Sequence, residues 1–259
     1  MPPVNSFDKG KFNWYYIAML HDLVTGIVDL FYPKICLSCK VKLDRAHVDN
    51  LVCKKCWADI KRNLPPFCHS CGRRLEKNNF PKNICLVCLK RNHSFDRAFS
   101  PCIYEGVVKE LIHSFKYKGK DYLGAPLSRL MIEFIKEYNL PIKYIDSIIP
   151  VPLHKSKLRE REFNQAEILS KHIADEFGKP VLKNILMRHR FTKTQTELEI
   201  VERLSNIKGS FSVIKSEEVN GRNLLLVDDV LTTGATASEA AYTLKNAGAN
   251  IVFVLTLAN

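Results

Sequence analysis

Four Cys-x-x-Cys pairs crowd the first third of the chain: Cys36/Cys39, Cys53/Cys56, Cys68/Cys71 and Cys85/Cys88. The blocks 36–56 and 68–88 each span 21 residues and are offset by 32, with Leu43 corresponding to Leu75, so one unit occurs twice. Such a pair turns two sulfurs to one side of a tight turn, and two pairs complete a tetrahedral four-cysteine zinc site. A segment this short and polar has little core of its own, so metal binding would supply its folding free energy. Consecutive pairing, 36/39 with 53/56 and 68/71 with 85/88, follows from the repeat and is favoured. A cross-braced arrangement would join the first and third pairs instead. Disulfides would need an oxidising compartment, and a thioredoxin-like redox function needs one such motif beside a βαβ unit, not four in tandem. Closed four-thiolate sites leave no open coordination position, so no catalysis is expected there. The ninth cysteine, Cys102, lies among Phe99, Ile103 and Tyr104 and reads as a core thiol.

The same region carries most of the charge. Of a net +12, residues 1–100 hold +9 (17 basic, 8 acidic) and residues 101–259 only +3 (22 basic, 19 acidic). A basic end suits a polyanionic partner, although a merely soluble surface would look similar. The opening Met-Pro-Pro-Val-Asn-Ser-Phe-Asp-Lys-Gly lacks a basic stretch running into an apolar core, so no secretory signal is expected. Trp14 to Tyr32 is apolar but broken by His21, Asp22 and Asp29, too polar for a membrane span. Leu20, Leu23, Val24, Ile27, Val28 and Phe31 recur at helical spacing, which predicts an amphipathic helix packed on a neighbouring domain, with membrane-surface attachment as the alternative.

Toward the other end, Leu224 to Val227 is an unbroken apolar run, as expected of a strand covered on both faces. Ala237, Ala240, Ala241, Leu244 and Ala247 then follow at helical spacing, and Gly248 offers a stop. Between them stand Asp228, Asp229, Val230, Leu231, Thr232, Thr233, Gly234, Ala235 and Thr236. In parallel sheets ligands sit at such a strand-to-helix junction. The threonine hydroxyls, the glycine and the N–H groups opening the helix suit a phosphate. The two carboxylates would repel a phosphate but accept hydrogen bonds from a sugar's vicinal hydroxyls. Phosphate beside diol describes a ribose 5-phosphate. An acid-rich turn capping a helix, or an acidic metal pocket, are the alternatives.

The middle of the chain supplies further elements. His93 to Arg97 reads as a short linker, Ala98 to Tyr104 as a strand, Val107 to Phe115 as a short helix, and Leu123 to Ile135 as an amphipathic helix. In Phe115-Lys-Tyr-Lys-Gly-Lys, aromatic residues alternate with Lys116, Lys118 and Lys120. Tyr117 and these lysines are candidates for stacking on bases and contacting phosphates, or form an ordinary solvated turn. Ile145 to Val151 reads as a buried strand leading to His154, and the chain from Lys155 feeds a helix to about Phe177. Val181 to Met187 gives another strand, a polar connection from Arg188 onward has the look of a lid, and Ile251 to Leu257 closes the sheet.

Residues 227–236, Val-Asp-Asp-Val-Leu-Thr-Thr-Gly-Ala-Thr, resemble the phosphoribosyl pyrophosphate (PRPP) signature of the type I phosphoribosyltransferases. The resemblance implies that Asp228 and Asp229 hold the ribose 2′ and 3′ hydroxyls and that Thr232 to Thr236 cradle the 5′-phosphate. It also implies that the loop after the 145–151 strand grips the pyrophosphate around Mg2+. Lys155, Lys157, Arg159 and Arg161 are the cations available, with Arg159 and Arg161 ranked first for their planar forks and His154 and Lys155 beside them. A flexible loop closing over the substrate would use Arg188, Lys193, Thr194, Gln195 and Arg203. The catalytic residues and the acceptor stay unassigned.

Paired ribbons, Phe-Lys-Tyr-Lys-Gly and Arg-Glu-Arg-Glu-Phe-Asn-Gln-Ala, together with the PRPP signature, make nearly the whole chain similar to the ComF/ComFC competence family. The sequence departs at Glu162, where that family usually has glycine, which weakens the local anion site. The implied fold is α/β, a type I phosphoribosyltransferase fold with a mainly parallel sheet flanked by helices, preceded by a small double zinc-ribbon domain with four cysteines to each zinc. The implied division is an amphipathic helix in 1–33, ribbons in 34–92 and the transferase-type domain in 93–259. Implied partners are PRPP, single-stranded DNA in natural transformation, and competence helicase or DNA-processing proteins, in the cytoplasm. Cofactors would be two structural Zn2+ and Mg2+ with PRPP. A small-molecule phosphoribosyltransferase acting on a nucleobase or amine is the alternative. No glutamine amidohydrolase machinery is visible.

Overall fold

A computed structural model describes residues 16–20, 23–24, 34–43, 51–75, 83–117, 119–189 and 207–259. The chain divides into two compact units, Met1–Ala58 and Asp59–Asn259. The first four-cysteine group falls in the first unit, and the second belongs to the same unit as the sheet.

In the first unit, residues 16–20 and 23–24 are helical. Of the apolar face expected there, Leu20, Leu23 and Val24 are exposed. Ile27, Val28 and Phe31 lie outside the described residues. The ribbon follows, closed by a bridge between Ile35 and Lys42 and by helix α1 (Lys54–Ala58).

The second unit opens with the second ribbon and its short helix α2 (Leu86–Leu89). Four parallel strands form its sheet in the order β1 (Arg97–Phe99), β6 (Ile251–Ala258), β5 (Asn223–Val230), β2 (Ser147–Pro150). Leu224 pairs with both Ser147 and Val252, so β5 has neighbours on each side. Its apolar run follows from cover on both faces. Leu224, Leu226, Val252 and Val254 share a buried cluster with Ala237, Ala240, Ala241 and Leu244 of helix α7 (Ala235–Asn246). Leu225, Phe253 and Leu255 turn the other way, toward Ile135 of helix α4 (Gly124–Glu137).

Helix α3 (Gly106–Phe115) precedes α4, and helices α5 (Lys155–Arg161) and α6 (Gln165–Phe177) follow β2. A separate antiparallel pair joins β3 (Leu186–Arg188) to β4 (Phe211–Val213).

Three expectations need correction. The strand expected over 98–104 stops at Phe99 because the chain leaves β6 there, and Cys102 keeps only isolated bridges. The strand at 251–257 does not close the sheet but lies inside it, between β1 and β5, since a crossover returns β1 to its far side. The helix expected to end near Phe177 is found as α6, capped by Asn164 through the Ala166 N–H, and the stretch that feeds it forms the separate α5, which ends where Glu162 takes a left-handed φ of 70°. The strand expected over 181–187 also splits: Val181 bridges to Ile148, and Leu186 begins β3 in another sheet. The Cys102 thiol is buried, and that burial pushes it up to about 12, as suits a core thiol.

Candidate functional site

Two four-thiol groups are formed by consecutive pairs, Cys36, Cys39, Cys53, Cys56 and Cys68, Cys71, Cys85, Cys88, with ligand atoms within 4.8 Å of one another in each group. Their local geometry repeats. The Cys53 N–H donates to Cys36 Sγ at 3.3 Å, as Cys85 N–H does to Cys68 Sγ, and the Cys39–Cys53 and Cys71–Cys85 sulfurs are each 3.7 Å apart. Four convergent thiols with N–H donors aimed at sulfur fit tetrahedral Zn2+, which such sites bind as thiolates.

The acidic pair stands at the carboxyl end of β5, where ligands of parallel sheets bind. Asp228 Oδ1 accepts from the Asp229 N–H at 2.8 Å, which orients the first carboxylate. Burial, then the neighbouring charge of Asp229, pushes Asp228 up to about 7, against the pull of Lys116 and Arg188. The chain then turns at Leu231, whose N–H donates to Ala258 O, and enters α7 through Gly234 at φ 75°. A Cβ at Gly234 would meet His93 Cε1 at 2.8 Å, so both the backbone angle and the close approach require glycine. His93 is thus not part of a free linker. Its ring stacks on Phe95 at 4.7 Å, burial holds its imidazole below the usual histidine range, and Ser94 N–H donates to Ser238 Oγ of α7.

The second ribbon supports this loop directly. Arg73 Nη2 donates to Thr232 O at 3.4 Å, and Cys71 and Cys88 line a small cleft with Leu231, Thr232 and Gly234. Cys68, Cys71, Cys85 and Cys88 also share one buried cluster with Leu231, Ala235 and Ala237. Asn63 fastens the ribbon to the sheet, donating through Nδ2 to both Gly72 O and Ser100 O at 2.9 Å.

Lys116, a nucleic-acid candidate from the sequence, stands at the acidic pair. Its Nζ lies 2.9 Å from Asp229 Oδ2 in a largely buried ion pair, one residue past the end of α3. Burial works against the ammonium, but Asp229 outweighs it and leaves Lys116 above the usual lysine range. Gln165 links the two sequence motifs, donating through Nε2 to Phe115 O at 3.2 Å and accepting from Arg161 Nη1 at 3.0 Å. Asn164 donates to Val151 O, tying α6 to the end of β2.

Arg188 of β3 lies over the Phe211 ring at 5.6 Å, where burial lowers its guanidinium below the usual range and Asp228 opposes that shift. Asp228, Asp229 and Lys116 therefore stand together, with Arg188 acting on Asp228 and Arg161 on Lys116 through their charges. Arg159 and Lys155 are exposed, and His154 caps α5, its Nδ1 accepting from the Ser156 N–H at 3.2 Å. Lys157 pairs with Glu160 at 2.7 Å. Tyr117 is exposed and its ring meets His113 edge-on. Lys118, Lys193, Thr194, Gln195 and Arg203 lie outside the described residues. Sequence reading missed Arg73 and His93, whose contacts with the loop join residues far apart in the chain.

A model of the double zinc ribbon domain matches residues 27–89, and one of the phosphoribosyl transferase domain matches residues 164–259. The chain is 32% identical over 231 residues to Competence protein F of Haemophilus influenzae, covering 88% of this chain and 98% of that protein. It is 28% identical over 227 residues to the DNA utilization protein YhgH of Escherichia coli K12, covering 87% and 96%. Competence protein ComFC of Bacillus subtilis is 27% identical over 210 residues, covering 77% and 80%. No helix of the described residues is long and apolar enough to cross a membrane.

Proposed function

Because the chain belongs to the ComF/ComFC family of competence proteins, we propose that it binds PRPP and handles single-stranded DNA during natural transformation. The observation that carries the PRPP reading is the order of parts at the end of β5: two carboxylates, a tight turn through Gly234, and the first N–H groups of α7. Asp228 and Asp229 accept hydrogen bonds from the ribose hydroxyls. Thr232 to Thr236 and the opening of α7 receive the 5′-phosphate, where the helix dipole and N–H donors favour an anion. Arg161, held by Gln165, faces the pyrophosphate.

Mg2+ bound with PRPP would neutralise pyrophosphate charge and make it a better leaving group; the carboxylates of Asp228 and Asp229 are the hard oxygen ligands nearby that suit it. The DNA reading is supported by the +9 charge of residues 1–100 and by the kinship with a DNA utilization protein. The reading includes a cytoplasmic location, where the eight zinc-spaced cysteines would stay reduced.

Calorimetry of the zinc-loaded, full-length protein tests the first half: Mg-PRPP binds saturably, and Asp229→Ala abolishes the heat. Fluorescence anisotropy with a labelled single-stranded oligonucleotide tests the second, with affinity falling steeply on a log–log plot against salt. PRPP turnover with a nucleobase or amine acceptor, and no DNA binding at moderate salt, would instead make the protein a small-molecule phosphoribosyltransferase.

A further inference from the structure

The Lys116–Asp229 ion pair occupies one of the two carboxylates that the PRPP reading assigns to the sugar. A surface pair of this kind contributes little, but this one is largely shielded, with side-chain exposures of 26% and 13%. Two adjacent aspartates at a strand end repel each other, and a cation held there relieves that repulsion. The backbone that carries the cation is also tied down. Phe115 O, one residue before Lys116, accepts from Gln165 Nε2, and the same Gln165 side chain accepts from Arg161 Nη1. Arg161 is close enough for its positive charge to work against that of Lys116. Gln165 thus ties Arg161 to the backbone just before Lys116.

We propose that Lys116 is a ligand-binding residue of the transferase-type site, which exchanges Asp229 for the ligand's diphosphate when the ribose hydroxyls take that carboxylate. This deepens the PRPP reading and rests on it. The hydroxyls donate to Asp229, which frees the ammonium. With Arg161 it then forms a two-cation subsite for the diphosphate oxygens. The exchange keeps Lys116 paired with an anion, while Asp229 trades its ion pair for the hydrogen bonds of the diol. Ribose 5-phosphate carries the diol and the 5′-phosphate but no diphosphate, so it separates the two halves of the exchange.

The test is calorimetry on the full-length, zinc-loaded protein with Mg-PRPP and, separately, ribose 5-phosphate. A charged hydrogen bond lost from the diphosphate lowers PRPP affinity of Lys116→Gln by about 10-fold or more. Ribose 5-phosphate affinity stays within about 3-fold of wild type or tightens, since no diphosphate contact is at stake. Lys116→Arg keeps most of the PRPP affinity, and binding of single-stranded DNA by Lys116→Gln is unchanged. Equal PRPP affinity in wild type and Lys116→Gln, or a loss confined to DNA binding, would overturn the assignment.

A wild-type protein that takes up no PRPP would overturn the reading of the whole site and this assignment with it. Should Lys116→Gln not fold, wild-type protein with 13C-dimethylated lysines answers the same question. The signal missing from Lys116→Arg moves on saturation with PRPP, and a signal that stays in place contradicts the exchange.

Discussion

The two ribbons are copies of one motif in different surroundings, and one matched pair of residues shows what the surroundings do. Lys40 and Gly72 occupy equivalent positions after the first Cys-x-x-Cys turn of each ribbon, with φ 63° and φ 70°. Both turns need the left-handed region, which glycine enters freely and lysine at a cost. The first ribbon carries lysine there, exposed, with its Nζ bonded back to Leu37 O at 2.8 Å. The second has no such freedom: a Cβ on Gly72 would run into the Ala98 carbonyl oxygen of β1.

The same contrast recurs nearby. Cys39 is exposed where Cys71 is buried, and Ile35 is exposed where Phe67 packs edge-on against Phe134 and Tyr138 of the second unit. One copy of the motif thus stands as a four-thiol module while the other is absorbed into an α/β core and underlies the loop after β5.

Removing one metal ligand from each ribbon is the strongest way to break this contrast. Cys71→Ser should release one zinc and destabilise residues 59–259 by on the order of 3 kcal/mol or more, because the metal holds part of that unit's core. Cys39→Ser should also release one zinc but leave that unit within about 0.5 kcal/mol of wild type. Both tryptophans, Trp14 and Trp57, fall in the first unit, so their fluorescence follows it in urea. Far-ultraviolet circular dichroism, dominated by the helices of the second, follows the other. Coincident losses in both signals for both variants would erase the distinction.

Exchanging the turn residues is the next largest effect. Gly72→Lys should cost roughly 3 kcal/mol in the circular dichroism transition, combining left-handed strain with overpacking against β1. Lys40→Gly should change the fluorescence transition by less than about 1 kcal/mol, in the stabilising direction.

The pH dependence sharpens the comparison further. Asp228 is raised from an ordinary carboxylate value to about 7, so the folded state binds more protons than the unfolded state between about pH 4 and 7. Stability of the second unit therefore falls as pH rises through that window. Asp228→Asn removes the cost, and its gain in stability should be larger at pH 8 than at pH 5. A difference of roughly 2 kcal/mol is expected, since the carboxylate is partly open to water and screened. The effect should appear in circular dichroism and not in fluorescence. The smallest change is at Glu162, a third left-handed position, exposed like Lys40. Glu162→Gly should stabilise the second unit by about 0.5–1 kcal/mol in urea.

What the sequence made legible is what lies contiguous along it. Leu224 to Thr236 announced strand, acids, loop and helix because each part is set by its neighbours in the chain. The 32-residue offset of the cysteines announced consecutive pairing because the repeat is itself local. What it hid depends on distant partners. Lys116 looks like one lysine of an alternating basic segment until the fold brings α3 against Asp229. His93 looks like linker until Gly234 is packed on its ring. The interior place of β6 and the break at Glu162 were hidden for related reasons: a strand's neighbours and a single left-handed φ leave no hydrophobic period behind.

The most direct test of the PRPP site is a crystal structure of the zinc-loaded protein grown with Mg-PRPP. The 5′-phosphate should lie against the backbone of 232–236, with the ribose hydroxyls on Asp228 and Asp229. PRPP absent from that loop at saturating concentration, or bound elsewhere on the chain, would contradict it.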